Sequence, residues 1–249
     1  MLVLLPPSET KHPGGDGPPL DLGRLGHPEL TPVRERLLTA LEQLATDLPA
    51  ARAALGLSPA QDGEIARNAV VRTSPTLPAL DRYTGVLYDA LDVGSMTRGQ
   101  RRRADARLAV GSALFGVVRG TDRIPAYRFS AGSALPGRPT LAARWRPLLD
   151  PVLAELVAAQ TVVDLRSGSY AALGRVPGAI TVNVLSERAD GSRSVVSHFN
   201  KAHKGRLARA LAVTRAEPSD SAGVAAVARR AGMRVERRGT THLDVIVPG

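Results

Sequence analysis

Apolar residues along this chain fall either into short unbroken runs or into spaced stripes, and the two patterns predict different elements. Met1–Leu5 is a continuous apolar run stopped by Pro6-Pro7, which predicts a buried strand opening onto the polar loop Ser8-Glu9-Thr10-Lys11. Residues 12–30 are rich in Gly and Pro and predict a surface loop. Thr31-Pro32 opens a helix, with proline where a missing N–H costs least, and Val33, Leu37, Leu38, Leu41, Leu44, Ala45 and Leu48 trace its apolar stripe. Ser58-Pro59-Ala60-Gln61 and Thr97-Arg98-Gly99-Gln100 are capping boxes, each predicting a helix start. The second leads into a helix expected to run through Val118, with Arg101, Arg102, Arg103 and Arg107 in its first half and the apolar Leu108–Val118 buried in its second. Residues 72–80 read as Pro-rich connection, and Leu80–Leu91 reads as a helix carrying Tyr83, Gly85 and Tyr88.

Further along, Arg119–Ile124 is a tight polar connection and Ala126–Phe129 a candidate strand. Thr140–Gln160 is helical but holds Pro147 and Pro151, so a kink or two pieces is expected. Thr161–Leu165 is a second buried strand, followed by the loop Arg166-Ser167-Gly168-Ser169. Ala179–Leu185 and Ser192–His198 read as strands joined through Ala189-Asp190-Gly191, a hairpin signal. Asn200 can cap a helix that carries Lys201, Lys204, Arg206 and Arg209, with Leu207 and Leu211 on the opposite side for docking. A short helix near Ala222–Ala231 and a last hairpin, Met233–Arg238 with His242–Val247 around Gly239, complete the chain. No repeat and no linker interrupts residues 31–249. The expectation is a single α+β domain over 1–249, a mixed sheet flanked by helices.

Composition narrows the chemistry. The 249 residues are 43% apolar but only 3% aromatic, so the core must be built from Leu, Val and Ala. The formal charge of +10 favours an anionic partner: nucleic acid, an acidic membrane surface or a phosphorylated ligand. Arg greatly outnumbers Lys, which occurs only at Lys11, Lys201 and Lys204; a coding bias toward Ala and Arg is the alternative origin of that charge. The absence of cysteine excludes disulfides, thiolate metal sites and cysteine nucleophiles, and fits a cytoplasmic protein. Met1–Pro7 is too short and too soon broken for a signal peptide, and no apolar run approaches the ~20 residues of a membrane span, so no membrane association is expected.

Two strands end in polar loops, one carrying Ser8, Thr10 and Lys11, the other Arg166, Ser167, Ser169 and Tyr170. Were these strands parallel neighbours, both loops would face one cleft, where ligands of open α/β sheets bind. Hydroxyls and backbone N–H groups there can hold a phosphate, with Lys11 adding charge; the alternative is that the hydroxyls only cap helices. The segment Gly116-Val-Val-Arg119-Gly120 can present bare N–H groups to a DNA phosphate, with Arg119, Arg123 and Arg128 as counter-charge; the alternative is a glycine-ended helix. The basic helix at 200–211 adds Lys201, Lys204, Arg206 and Arg209, or is simply a solvated face. Of the 5 histidines only His198 and His203 lie close, and no carboxylate cluster supports them, so no metal and no cofactor are expected. No Ser/His/Asp nucleophile motif occurs. Trp145, between Arg144 and Arg146, is either a base-stacking platform or a core anchor.

Taken in order, these segments resemble the YaaA peroxide-stress protein family. The resemblance rests on residues 1–11 (MLVLLPPSETK), Tyr83-Thr-Gly85 with Tyr88, residues 111–128 (GSALFGVVRGTDRIPAYR), Trp145, residues 162–170 (VVDLRSGSY) and Ser197 through Arg209. It implies a compact α/β fold, a positively charged cleft, a helix-hairpin-helix-like element at Leu114–Pro125, double-stranded DNA binding and a role in peroxide stress. It also implies that Lys201, Lys204, Gly205, Arg206 and Arg209 form the basic helix, and that Ser8, Thr10, Lys11, Ser167, Ser169 and Tyr170 line the cleft. The chain departs from the family pattern at Phe115 and Gly120, and it lacks the family's carboxylates near Ser130 and Gly168. The leading expectation is duplex DNA binding without strong sequence preference, through Gly116, Arg119, Gly120, Arg128, Lys201, Lys204, Arg206 and Arg209. A second is an enzyme acting on a nucleotide, a phosphorylated small molecule or a damaged DNA base, with Lys11, Tyr83, Asp164 and Tyr170 in the cleft. A third is a stress protein whose DNA affinity merely follows its composition.

Overall fold

The computed structural model describes residues 1–195 and 200–248. In chain order they form β1 (Leu2–Leu5), α1 (Thr31–Leu44), α2 (Leu48–Leu55), α3 (Asp62–Ala69), β2 (Leu77–Pro78), α4 (Ala79–Arg82), α5 (Val86–Leu91), α6 (Arg98–Arg107), β3 (Leu108–Ser112), β4 (Gly116–Arg119) and β5 (Arg123–Ile124). There follow α7 (Leu141–Ala159), β6 (Val162–Asp164), α8 (Gly168–Ala171), β7 (Ile180–Glu187), β8 (Arg193–Val195), α9 (Asn200–Val213), α10 (Ser221–Arg230), β9 (Arg234–Arg237) and β10 (His242–Pro248). Among the described residues no helix is long and apolar enough to cross a membrane.

One mixed sheet organises the chain, in the order β4-β3-β1-β6-β7-β10-β9, with β8 paired to β7. The inner strands β3, β1, β6, β7 and β10 all run parallel, and β4, β8 and β9 are antiparallel additions at the margins. Parallel strands are covered on both faces, which is why β1 and β3 are buried at every position and show no alternation. α9 packs on β1 and β7 through Leu207 and Leu211, both buried, with α5, α6 and α10 around it.

Helix starts follow their caps. Thr97 accepts from the Gln100 N–H and Gln100 returns the bond to the Thr97 N–H, closing the expected box at α6. The box at Ser58 opens a single 3-10 turn that runs into α3. The basic segment is helical over Asn200–Val213, and the hairpins turn at Gly191 (φ 81°) and Gly239 (φ 73°) as expected. Of the strand expected over Ser192–His198, Arg193–Val195 is extended as β8, and residues 196–199, Ser197 and His198 among them, lie outside the described residues.

Five expectations are corrected. The helix begun at Thr97 ends at Arg107, and Leu108–Val118 forms the hairpin β3–β4 instead. A run buried on both faces has no period to distinguish strand from helix, and Gly111 and Gly116 disfavour helix. Leu114–Pro125 is therefore a β-hairpin followed by the short β5, where a helix-hairpin-helix-like element was expected. The helix expected over Leu80–Leu91 is broken into α4 and α5 at Tyr83-Thr84-Gly85, where Gly85 adopts φ 94°, a conformation that glycine alone takes readily. Ala126–Phe129 pairs with no strand, while α7 runs unbroken through Pro147 and Pro151, both on its exposed side. Trp145 is a core anchor, fully buried, its indole N–H donating to the Ala113 carbonyl at 2.8 Å.

Candidate functional site

β1 is an interior strand of the sheet, with Leu5 beside Val110 of β3 and Leu4 beside Asp164 of β6. The chain reaches β3 by a crossover to one side and β6 by a crossover to the other, so β1 stands at the switch point of the sheet. The carboxyl ends of three parallel strands thus meet at one rim. Beyond it lies a cleft of ≈ 770 Å³, lined by Glu9, Asp164, Ser167, Ser169, Tyr170, Lys201 and Lys204, with Thr181 and Asn183 of β7 on its floor. Because β1 and β6 are parallel neighbours both loops reach this rim, but the first lines the cavity through Pro6, Pro7 and Glu9, while Ser8, Thr10, Lys11 and Tyr83, expected in the cleft, are not among its lining residues.

Lys11 is placed by an isolated antiparallel bridge to Tyr83. Its ammonium donates to the Ser8 carbonyl at 2.9 Å and the Glu9 carbonyl at 3.4 Å. It also sits 4.2 Å from the ring centre of Tyr127 and 5.3 Å from that of Tyr83. Burial pulls Lys11 down from the ordinary lysine value to about 7, helped by the nearby Arg128 guanidinium and opposed by Glu64 and Glu9. The two rings are held by a hydroxyl chain. Ser112 Oγ accepts from the Leu114 and Phe115 N–H groups, at 3.2 and 3.0 Å. Its own proton therefore goes to Tyr127 OH at 2.8 Å, and the Tyr127 proton goes to Tyr83 OH at 2.8 Å. Burial raises all three tyrosines Tyr83, Tyr88 and Tyr127 above the usual phenol range, so they act as neutral groups.

Above Lys11, Arg128 pairs with Glu9 at 2.7 Å. The Arg128 backbone is pinned by Asn68, which accepts from its N–H at 2.8 Å and donates to its carbonyl at 2.9 Å. Ser8 and Thr10 hydroxyls lie 3.1 Å apart, as do those of Ser167 and Ser169. Across the cleft, Lys204 donates to the Leu165 carbonyl at 3.1 Å and the Arg166 carbonyl at 3.5 Å. Burial pulls Lys204 below the usual lysine range, with the Asp164 carboxylate opposing. Asp164 is itself engaged by Arg166 through two bonds, at 2.9 and 2.8 Å. Tyr170 OH accepts from the Ala131 N–H at 3.3 Å, and Lys201 is exposed at the mouth.

The fold brings Lys201 and Lys204 to this cleft, holds Arg128 beside it through its ion pair with Glu9, and sends the other expected DNA contacts elsewhere. Gly116 and Gly120 are buried, Gly116 against Trp145 and Leu30, Gly120 against Leu80. The Gly120 N–H is already spent on the Leu108 carbonyl at 2.9 Å, so this bend offers no bare N–H groups there. Arg119 pairs in register with Ala109, at the amino end of β3, and opens onto a different pocket beside Pro18 and Asp122. Arg209 donates to the Leu91 carbonyl at 2.8 Å and to Ser95 Oγ at 2.7 Å, which terminates α5. Arg206 borders a third pocket with His203 and Met233. The basic helix therefore divides its charges between two sides of the molecule.

Ser112, Tyr127, Thr181 and Asn183 were missed from sequence. Ser112 stood in a run read as helix, which hides the strand end that carries it, and Tyr127 stood in a short segment read as a strand with no sign of what its hydroxyl meets. Thr181 and Asn183 sit on the exposed positions of β7, beside His242, whose ring nitrogens lie 2.7 Å from Thr181 Oγ1 and 2.9 Å from Asn183 Nδ2. The alternating pattern of β7 was the signal available.

The family profile of the peroxide stress protein YaaA matches residues 1–232. The chain belongs to this family. It is 52% identical over 95% of both chains to a UPF0246 protein of Corynebacterium efficiens, and 48% identical over 95% of both to one of Corynebacterium glutamicum. A UPF0246 protein of Streptomyces coelicolor is 46% identical over 99% of this chain and 98% of its own. The YaaA resemblance read from the residues is thus shown, and with it the description of the family as peroxide stress proteins.

Proposed function

We propose that this peroxide-stress protein binds nucleic acid across the cleft at the switch point, gripping phosphate with Lys201 and Lys204 and with the hydroxyls of Ser167 and Ser169. The observation that carries the reading is convergence: the loop after β6 and the first turns of α9 deliver two lysines and the hydroxyls of Ser167 and Ser169 to one cavity of ≈ 770 Å³, whose wall the loop after β1 completes through Pro6, Pro7 and Glu9. That volume suits one nucleotide and not a duplex about 20 Å wide, so a duplex would lie across the mouth with a single nucleotide entering. Arg119, Arg206 and Arg209 stand outside this grip.

A salt titration of duplex binding, followed by fluorescence anisotropy, tests it. Affinity is expected to fall linearly with log salt. Lys201→Glu with Lys204→Glu should weaken binding by about 30-fold or more and flatten the salt slope by about 2, since each phosphate contact releases roughly one counterion. Arg119→Ala and Arg206→Ala should each change affinity by less than about 2-fold. Lys201→Glu alone, which alters an exposed side chain, guards against misfolding of the double variant. Unchanged affinity in both would overturn the reading. A soluble nucleotide or sugar phosphate is the second reading, favoured by the enclosed amine of Lys11, which a bare DNA grip does not need.

A further inference from the structure

Lys11 is the least explained charge in the molecule. Its ammonium is enclosed by two tyrosine rings and two backbone carbonyls, and among the described residues no carboxylate pairs with it. Enclosing an unpaired cation is costly, and phosphate binding alone does not require it, since Lys201 offers an exposed charge in the cleft itself. The neutral amine fits the same place better. It has two N–H bonds, for which the Ser8 and Glu9 carbonyls are the acceptors, and a lone pair for which neither carbonyl competes. Lys11 does not itself line the cleft; it stands behind the wall that Glu9 forms, bonded to the Glu9 backbone carbonyl at 3.4 Å, so a ligand meets the nitrogen when that segment of wall gives way.

We propose that Lys11 is an amine nucleophile that condenses with an aldehyde borne on a phosphate-bearing ligand, either the ring-opened sugar of an abasic nucleotide in DNA or a free sugar phosphate. The inference rests on reading the cleft as a phosphate site, with Lys201 and Lys204 holding the phosphate while the aldehyde reaches Lys11. The lone pair of Nζ attacks the carbonyl carbon, a C–N bond forms, and the carbonyl oxygen takes up a proton to give a carbinolamine. With one more proton taken up from solvent that oxygen leaves as water, so amine, aldehyde and one proton become the protonated imine and water. The iminium nitrogen keeps the positive charge, and the ring faces of Tyr127 and Tyr83 that hold the ammonium hold it too. With a value of about 7, Lys11 is half neutral near pH 7, a fraction larger than that of an ordinary exposed lysine by about a thousandfold. The charged groups that set this balance are Arg128 and Arg67 on one side and Glu9 and Glu64 on the other.

Borohydride trapping decides the matter, because reduction of the imine fixes the ligand to the chain as a secondary amine. The full chain is incubated with a duplex holding one abasic site, or with glyceraldehyde 3-phosphate, then reduced, and the adduct is mapped by peptide mass spectrometry. The lysines are Lys11, Lys201 and Lys204, so the assignment is unambiguous. The expected result is an adduct on Lys11 at least about tenfold above that on any other amine, absent in a folded Lys11→Arg chain. Trapping by the abasic duplex alone identifies DNA as the source, and trapping by the sugar phosphate alone identifies a soluble ligand; either supports the proposal. No adduct, or an adduct mainly on Lys201, Lys204 or the terminal amine, overturns it, and this wild-type mapping decides even if Lys11→Arg fails to fold. Binding of intact duplex in the same buffer separates the two claims: binding without an adduct sinks the imine and leaves the phosphate cleft standing.

Discussion

Lys11 is a cation kept where cations are disfavoured, and this has a consequence for stability. Its value in the folded chain, about 7, lies below the 10.5 of an exposed lysine. Between those limits the unfolded chain binds the proton and the folded chain does not, so stability rises with pH across that window. Below about pH 7 both states are protonated and the full burial cost is present. Replacing Lys11 by Met should therefore stabilise the protein at pH 6 by about 3 kcal/mol, and the advantage should shrink toward zero by pH 10. Urea unfolding at the two pH values checks this; an advantage that does not change with pH would mean that Lys11 is an ordinary solvated charge. Lys11, Ser8, Thr10, Ser167, Ser169 and Tyr170 were legible as candidates because a polar loop after a buried strand is visible in the residues themselves; of these Ser167, Ser169 and Tyr170 line the cleft. The Ser112–Tyr127–Tyr83 chain was not, because it joins residues whose meeting depends on how β3 ends and how Tyr83 is turned inward.

At the scale of the element, α9 explains how a charged helix can be a core helix. Gly205 lets its backbone approach α5 so closely that an added Cβ would fall on the Leu87 carbonyl oxygen and against Ala90. In an open helix Gly→Ala stabilises by about 1 kcal/mol. Here backbone contact decides the sign, and Gly205→Ala should destabilise by about 2–4 kcal/mol, read as a lower urea midpoint with an unchanged slope. It should also release Arg209 from the end of α5, since that bond depends on the same approach. Capping boxes and hairpin glycines made most helix starts and turns readable. The switch from α6 to β3 at Leu108 was not, because Leu108–Val118 is apolar on every side, and only its pairing with β1 selects the extended form.

The whole molecule is held across its sheet margin by Arg34, a fully buried guanidinium on α1. It donates to the Phe115 carbonyl at 3.0 Å, His27 at 3.1 Å, Gly26 at 2.8 Å and Val117 at 3.0 Å, so one side chain ties α1, the hairpin and the 26–27 loop together. Arg34→Met keeps much of the volume but strands those carbonyls, and should cost about 3–5 kcal/mol, or roughly 10 °C in thermal midpoint, by scanning calorimetry. Duplex affinity measured below that midpoint should not change, because Arg34 is remote from the cleft. The parallel order of the central strands also bears on how the chain is made. Of the strands of this sheet the first in chain order, β1, is an interior one, and its second neighbour begins at Val162. At 5–20 residues per second the nascent Leu2–Leu5 segment waits roughly 10–30 s for that neighbour. Until then its backbone edge and leucines are open to chaperones or to another copy, so the cleft is among the last features that synthesis completes.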